Sequence, residues 1–404
     1  MEYVNFALIG LGALGQDRLK IYSELMKKDK GVRLVAVCDK NKDRAKKAGD
    51  QMRVPYYLDV EDMLRKQKNI DVVDICTPHF DHHATAKLAM EYGKHVLVEK
   101  PLALTVRCAK LIAEAKRKHN VLVEYGENFI RLPQSRIICK IIEHGHIGKI
   151  LRAYTIDKAA RSESPLYPAK WQKTLGLAAG GHCMEIGIHR VAQMRLFIKS
   201  DAVKVVGLTL SYEAEQTESW GHAIITFRNG AIGIYEGEDF IEKKISTSVI
   251  GRYIQIVGEE GTILLDNQNK VHLYKTTGEW ARHKEITVQH ITKNIDGVNI
   301  TSKIIVGTDP PLIYENELSD CALNDYFLSF AEEILDIAEA IKTGKEVEYT
   351  VEDGIKDMEM VTALYESSLM GMQPINLPLE TTSKYEEKVH EGYEKIFGRS
   401  PLDV

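Results

Sequence analysis

The first 125 residues alternate short apolar runs with longer amphipathic stretches. Residues 4–9 (VNFALI) carry continuous apolar character with one polar position, as a strand buried on both faces should. Residues 33–38, 72–76, 95–98 and 121–123 repeat that character and predict further strands. Between and after them, residues 14–28, 42–51, 59–66, 83–92 and 105–118 read as helices, and Gly93 fits the C-terminal cap of the fourth. Strand–helix–strand units with short connections predict a parallel, doubly wound sheet.

The pattern changes near residue 125. Residues 133–144 predict a helix and 145–148 a turn. Longer alternating segments follow at 150–158, 203–212, 222–228, 231–236, 253–257 and 262–265, with Asn229-Gly230 as a hairpin signal. They predict an open, mostly antiparallel sheet flanked by helices, among them 180–197, 326–343 and 351–370. Residues 277–320 are polar and irregular and predict no element. Beyond Pro378 the chain is densely charged, and a peripheral helix is expected at its end.

Composition narrows the class. The 404 residues are 44% hydrophobic and 27% charged, enough apolar material for a sizeable core and too much for a disordered chain. No run approaches the ~18–20 uninterrupted apolar residues of a membrane span. The N-terminus lacks a basic region and its apolar run ends in glycines, so no signal peptide is expected. A net charge of −5 argues against a nucleic-acid partner, which calls for a basic field. Six cysteines lie far apart with no CxxC pair, which reads as reduced thiols and predicts a cytoplasmic protein.

Four motifs carry chemistry. Gly10-Leu11-Gly12-Ala13-Leu14-Gly15 follows the first strand and opens the first helix. Glycines there permit a tight turn, close approach of a pyrophosphate and close helix–strand packing, while the helix N-terminus offers unpaired N–H groups. Asp39 closes the second strand, where a carboxylate accepts from ribose hydroxyls and repels a 2′-phosphate. This predicts NAD; Lys40, Lys42 and Arg44 nearby keep NADP open.

Thr77-Pro78 and Glu99-Lys100-Pro101 both follow buried strands, at the carboxyl ends where open α/β sheets bind ligands. Thr77 and Pro78 are expected to line the cofactor cleft. His82 either orients the following helix beside the cofactor or is a surface residue, and His79 and His83 are assigned to the surface. Lys100 can reach the cleft and stabilise alkoxide charge on a reacting hydroxyl, and Glu99 is placed at the nicotinamide ribose.

The fourth motif is Gly180-Gly181-His182-Cys183-Met184-Glu185-Ile186-Gly187-Ile188-His189. On a helix, Glu185 and His189 stand four apart and share a face, with His182 close by. A carboxylate and an imidazole facing one cleft can hold a diol and accept a proton. The spacing matches no common zinc pattern, so no metal is expected.

In this order, the motifs resemble the Gfo/Idh/MocA oxidoreductases, the family of glucose–fructose oxidoreductase and inositol dehydrogenase. Gly93-Lys94-His95-Val96, Asn128 before Arg131 and Pro133, Gly344, Glu352-Asp353-Gly354 and Leu377-Pro378 extend the likeness from Phe6 to about Pro378. The resemblance implies a Rossmann NAD(P)-binding domain over 1–125, a substrate-binding and oligomerisation domain over 126–380, and a charged tail over 381–404. It implies hydride exchange between nicotinamide and a ring carbon of a sugar, sugar derivative or cyclitol. Lys100 takes the role of the family lysine at the reacting hydroxyl, and His189 that of the general base. Glu185 stands where the family carries aspartate, and Ala179 replaces the first of three glycines. Asn128, Tyr167, Trp171 and His182 are expected at the substrate. A homodimer or homotetramer through the open sheet face is also implied. Two other readings stay open on sequence: a glycosidase working by transient oxidation and elimination, and a non-catalytic sensor that keeps the dinucleotide pocket.

Overall fold

The structure is a computed structural model that describes residues 2–159, 170–211, 217–239, 252–277 and 282–404. Strands β1 (Val4–Ile9), β2 (Val32–Cys38), β3 (Tyr56–Tyr57), β4 (Val72–Ile75), β5 (His95–Glu99) and β6 (Val123–Gly126) form a six-stranded sheet in the order β3-β2-β1-β4-β5-β6. Every pairing in it is parallel. Helices α1 (Ala13–Lys27), α2 (Lys42–Met52), α3 (Val60–Lys66), α4 (His82–Glu91) and α5 (Val106–His119) make the crossovers. β1 and β4, the strands on either side of the reversal in strand order, lead into Gly10 and Cys76-Thr77. The cleft therefore opens there, as strand order dictates in such sheets. The last strand begins two residues later than the apolar triplet 121–123 suggests. Its outer edge is continued by the segment before the helix Val351–Leu369, where Tyr125 N–H donates to Tyr349 O at 3.0 Å.

A nine-stranded sheet follows, antiparallel except where Ile232–Asp239 runs parallel to Ile150–Ala159. Helices Pro133–Glu143, Ile188–Ile198 and Val351–Leu369 contribute apolar side chains to the core shared with its inner face. Its other face carries Leu210 and Ile224, each 48% exposed.

Two regions differ from expectation. The described residues of the stretch 277–320 form regular strands: Arg282–Ile286 extends the large sheet, and Val288–Ile295, Val298–Val306 and Leu312–Glu315 form a separate antiparallel three-stranded sheet. In the first of these three strands most side chains are exposed, so an inward apolar face hardly shows in its sequence. The tail helix, Lys384–Phe397, carries a capping box of Ser383 and Glu386 and is not merely peripheral. Val389 and Tyr393 are buried, Arg107 N–H donates to Glu386, and Gly176 and Gly392 bring two backbones into contact.

The helix Asp325–Thr343 lies in one core with β1 and α1. Arg18 of α1 is fully buried there, 2.7 Å from Glu333, 3.3 Å from Glu99 and 3.7 Å from Asp74. Burial pushes the Glu99 carboxyl up to about 8, against the opposing pull of Arg18. The residue before Lys100 is thereby tied to the C-terminal half of the chain. The six cysteines are free, and among the described residues no helix is long and apolar enough to cross a membrane.

Candidate active site

The glycine turn separates two structural demands from one empty face. Gly10 has φ +87°, and a Cβ on it would lie 2.5 Å from Cys76 O. A Cβ on Gly15 would lie 2.0 Å from Gly10 O. At Gly12, by contrast, a Cβ meets nothing within 4 Å among the described residues. Internal packing thus accounts for the outer glycines, while the middle one faces the space a pyrophosphate would fill. Next to it α1 starts at Ala13 and Leu14 with no side-chain cap on its first N–H groups. Asp39 braces the turn, accepting from Leu11 N–H at 2.8 Å and Asn41 N–H at 2.7 Å. Thr77, beside Pro78 at the end of β4, has a buried hydroxyl with no hydrogen-bond partner among the described residues. A bare glycine face, an uncapped helix start and an orphaned hydroxyl at the strand ends fit a dinucleotide.

His82 settles between its two readings as a buried staple. Its Nε2 lies 2.7 Å from Thr77 O and its Nδ1 2.8 Å from Pro101 O, joining the turns after β4 and β5. Burial pushes its pKa down to about 4. Assigning His79 and His83 to the surface is wrong. His79 is buried against Ala178 O at 3.2 Å and Trp171, whose ring meets it edge-on at 4.8 Å. His83 is fully buried and 2.8 Å from Pro401 O. What covers each is about a hundred or more residues away along the chain.

The second half of the site forms where the large sheet's helix meets β5 and β6. The predicted single helix over 180–197 is instead a π-turn, Cys183–Gly187, running into the α-helix Ile188–Ile198. Such wide turns occur frequently at functional sites. Lys100 donates to Glu185 O at 2.7 Å and stands 3.6 Å from its carboxylate. The other Glu185 oxygen lies 3.4 Å from His79 Nε2 and 3.5 Å from Gln172 Nε2. His189 places Nδ1 2.6 Å from Glu127 Oε1, and Phe129 stacks on its ring at 3.9 Å and 8°. Burial first, then the charges of Lys100 and Arg190, hold His189 well below the usual imidazole range.

Behind His189 lies a buried ion pair that sequence reading missed. Arg190 bonds Asp157 at 2.6 Å, and Arg252 reaches the other oxygen at 3.0 Å. Burial alone would raise the Asp157 pKa, but the two guanidinium groups hold it at about 2. Glu127 was missed as well, although it directly follows β6, the position that singled out Thr77 and Lys100. His182 is buried, with its ring against the Gly237 backbone. Asn128 turns elsewhere, donating to Ser329 Oγ at 2.9 Å on the helix Asp325–Thr343. Tyr167 lies outside the described residues.

Comparison with known proteins gives the family and the fold. The chain is 24% identical over 378 residues to an uncharacterised oxidoreductase, YrbE, of Bacillus subtilis, covering 92% of this chain and 95% of that one. It is 27% identical over 285 residues to scyllo-inositol 2-dehydrogenase (NAD(+)) of the same organism, covering 68% and 77%. The solved structure of a levoglucosan dehydrogenase in complex with NADH and L-sorbose superposes with a TM-score of 0.77 at 21% identity, over 94% of this chain and 100% of that one. The model of the oxidoreductase family's NAD-binding Rossmann fold matches residues 4–127, and that of its C-terminal alpha/beta domain matches residues 140–377. The chain belongs to the Gfo/Idh/MocA oxidoreductase family.

Proposed function

We propose that the protein is an NAD-dependent dehydrogenase acting on a ring hydroxyl of a sugar, sugar derivative or cyclitol. The observation that carries this reading is that Lys100, from the end of the parallel sheet, bonds Glu185 of the second half of the chain, while its charge also acts on the buried His189. NAD, when bound, supplies a hydride acceptor at nicotinamide C4. Gly12 and the first N–H groups of α1 would hold its pyrophosphate, Asp39 its adenosine ribose, and Thr77, Pro78 and Glu99 would line the path to the nicotinamide.

The residues of the chain handle the proton. Lys100 donates to the reacting oxygen and stabilises its negative charge, and His189 accepts the hydroxyl proton. Glu185 keeps the ammonium in place through its carbonyl and carboxylate. Trp171 would stack on the sugar or cyclitol ring, held in place by its edge contact with His79. The exposed sheet face with Leu210 and Ile224 would pair with a second copy. The names of relatives support the substrate class, since one is a scyllo-inositol dehydrogenase and another a levoglucosan dehydrogenase.

The test is a panel of cyclitols, aldoses and anhydrosugars with NAD or NADP, read as reduced cofactor formed. Reduction of NAD by one of them supports the reading. Glycoside cleavage without net reduction in the same panel would point instead to transient oxidation, and binding of neither coenzyme would end the proposal.

A further inference from the structure

His189 has two ring nitrogens, and only one can serve as the base. Nδ1 lies 2.6 Å from Glu127 Oε1, while Nε2 has no hydrogen bond among the described residues. Glu127 is fully buried, accepts a second hydrogen bond from Phe129 N–H at 3.2 Å, and leaves Oε2 with no partner among the described residues. Phe129 stacked on the imidazole fixes the plane in which this contact is made.

We infer that Glu127 is a positioning residue for this reaction: its carboxylate accepts from His189 Nδ1–H, leaving Nε2 unprotonated for the substrate hydroxyl and stabilising the imidazolium that forms. The inference rests on the dehydrogenase reading and deepens it. When the hydroxyl proton passes to Nε2, the Nδ1 proton stays on its side of the bond to Glu127, and the buried pair becomes neutral overall.

The pair also has a second state. With one more proton, the Glu127 carboxyl donates to Nδ1, the ring proton sits on Nε2, and His189 is a donor suited to carbonyl reduction. Burial pushes the Glu127 carboxyl up to about 8, with the charges of Lys100, Arg190 and Arg131 opposing it. Glu99, Asp357, Tyr125 and Tyr349 also act on it, and Asp157 and Arg252 act on His189. The exchange between base and acid forms therefore falls near pH 8, with hydroxyl oxidation favoured above it and carbonyl reduction below.

The direct test is nitrogen NMR of the full-length protein labelled in histidine, with His189→Asn identifying the signals. Native protein is expected to move from an Nε2–H to an Nδ1–H tautomer as pH rises through about 8, and Glu127→Gln to lose that step. A native His189 without such a step, or one that persists in Glu127→Gln, overturns the inference whether or not a substrate has been found. Folding of the variant is checked by its melting temperature. With levoglucosan or scyllo-inositol, whichever reduces NAD, Glu127→Gln should lower kcat by about 10²-fold or more with KM within about threefold. It should also lose the rise in rate near pH 8, and Glu127→Asp should restore part of both. A retained kcat and pH profile in Glu127→Gln would count against the inference, while failure of every substrate would count only against the dehydrogenase reading.

Discussion

Lys100 donates to the backbone carbonyl of Glu185 at 2.7 Å, a tighter contact than the 3.6 Å between its ammonium and the Glu185 carboxylate. The turn after β5 is thus pinned to the π-turn of the second half of the chain chiefly by a backbone acceptor, which no side-chain substitution at 185 removes. Glu185→Gln keeps length and backbone, so kcat is expected to fall by less than about tenfold, against about 10²–10⁴-fold for Lys100→Met. Steady-state rates of the two variants check this ordering, and equal losses would give the carboxylate the larger role.

Gly12 allows a test of the cofactor face without damage to the fold. Because a Cβ there meets nothing within 4 Å among the described residues, Gly12→Val should melt within a few degrees of the native protein yet lose the thermal shift caused by NAD. Gly15→Ala, which would drive a Cβ into Gly10 O, should lower the melting temperature outright. An undiminished NAD shift in Gly12→Val would place the pyrophosphate elsewhere.

Asp39 bonds both neighbouring turn N–H groups through its carboxylate. Preference for NAD over NADP is expected in the native protein, because a 2′-phosphate would approach that charge. Asp39→Asn should narrow the ratio of the two kcat/KM values by about tenfold or more, an effect of about 1.4 kcal/mol. A native preference for NADP would contradict this assignment.

Legibility followed distance along the chain. The glycine turn, Asp39 and the strand-end turns at Thr77 and Lys100 depend on neighbouring residues, so the alternating pattern located them. His79 and His83 look like solvated residues at a helix start, and only Ala178 and Pro401, far along the chain, show otherwise. The Asp157–Arg190–Arg252 cluster joins a strand, a helix and the residue before the strand Tyr253–Gly258, which no local spacing reveals. The π-turn at 183–187 changes how Glu185 and His189 are offset, and an i, i+4 rule assumes the ordinary helix. Glu127 was the avoidable omission, since it too follows a buried strand of the parallel sheet.

Asp157 gives a pH dependence with a definite sign. Its pKa is about 2 in the folded protein and about 3.9 in an unfolded chain. A lowered pKa contributes stability above the unfolded value and loses it as pH falls through the folded one. The difference in unfolding free energy between native protein and Asp157→Asn should narrow by up to about 2–3 kcal/mol between pH 5 and pH 2. Urea titrations at a series of pH values measure it, and a constant gap would show that the two arginines do not hold the carboxylate ionised.

The central claim is that Lys100 and His189 act together on one reacting oxygen. A double-mutant cycle of Lys100→Met and His189→Ala, read as kcat on the substrate found in the panel with NAD binding followed beside it, tests it most directly. The account predicts that each single variant loses most of the activity while still binding NAD, and that the double variant is no worse than the poorer single within about threefold. Independent, multiplicative losses, or single variants that turn over like the native protein, would contradict it.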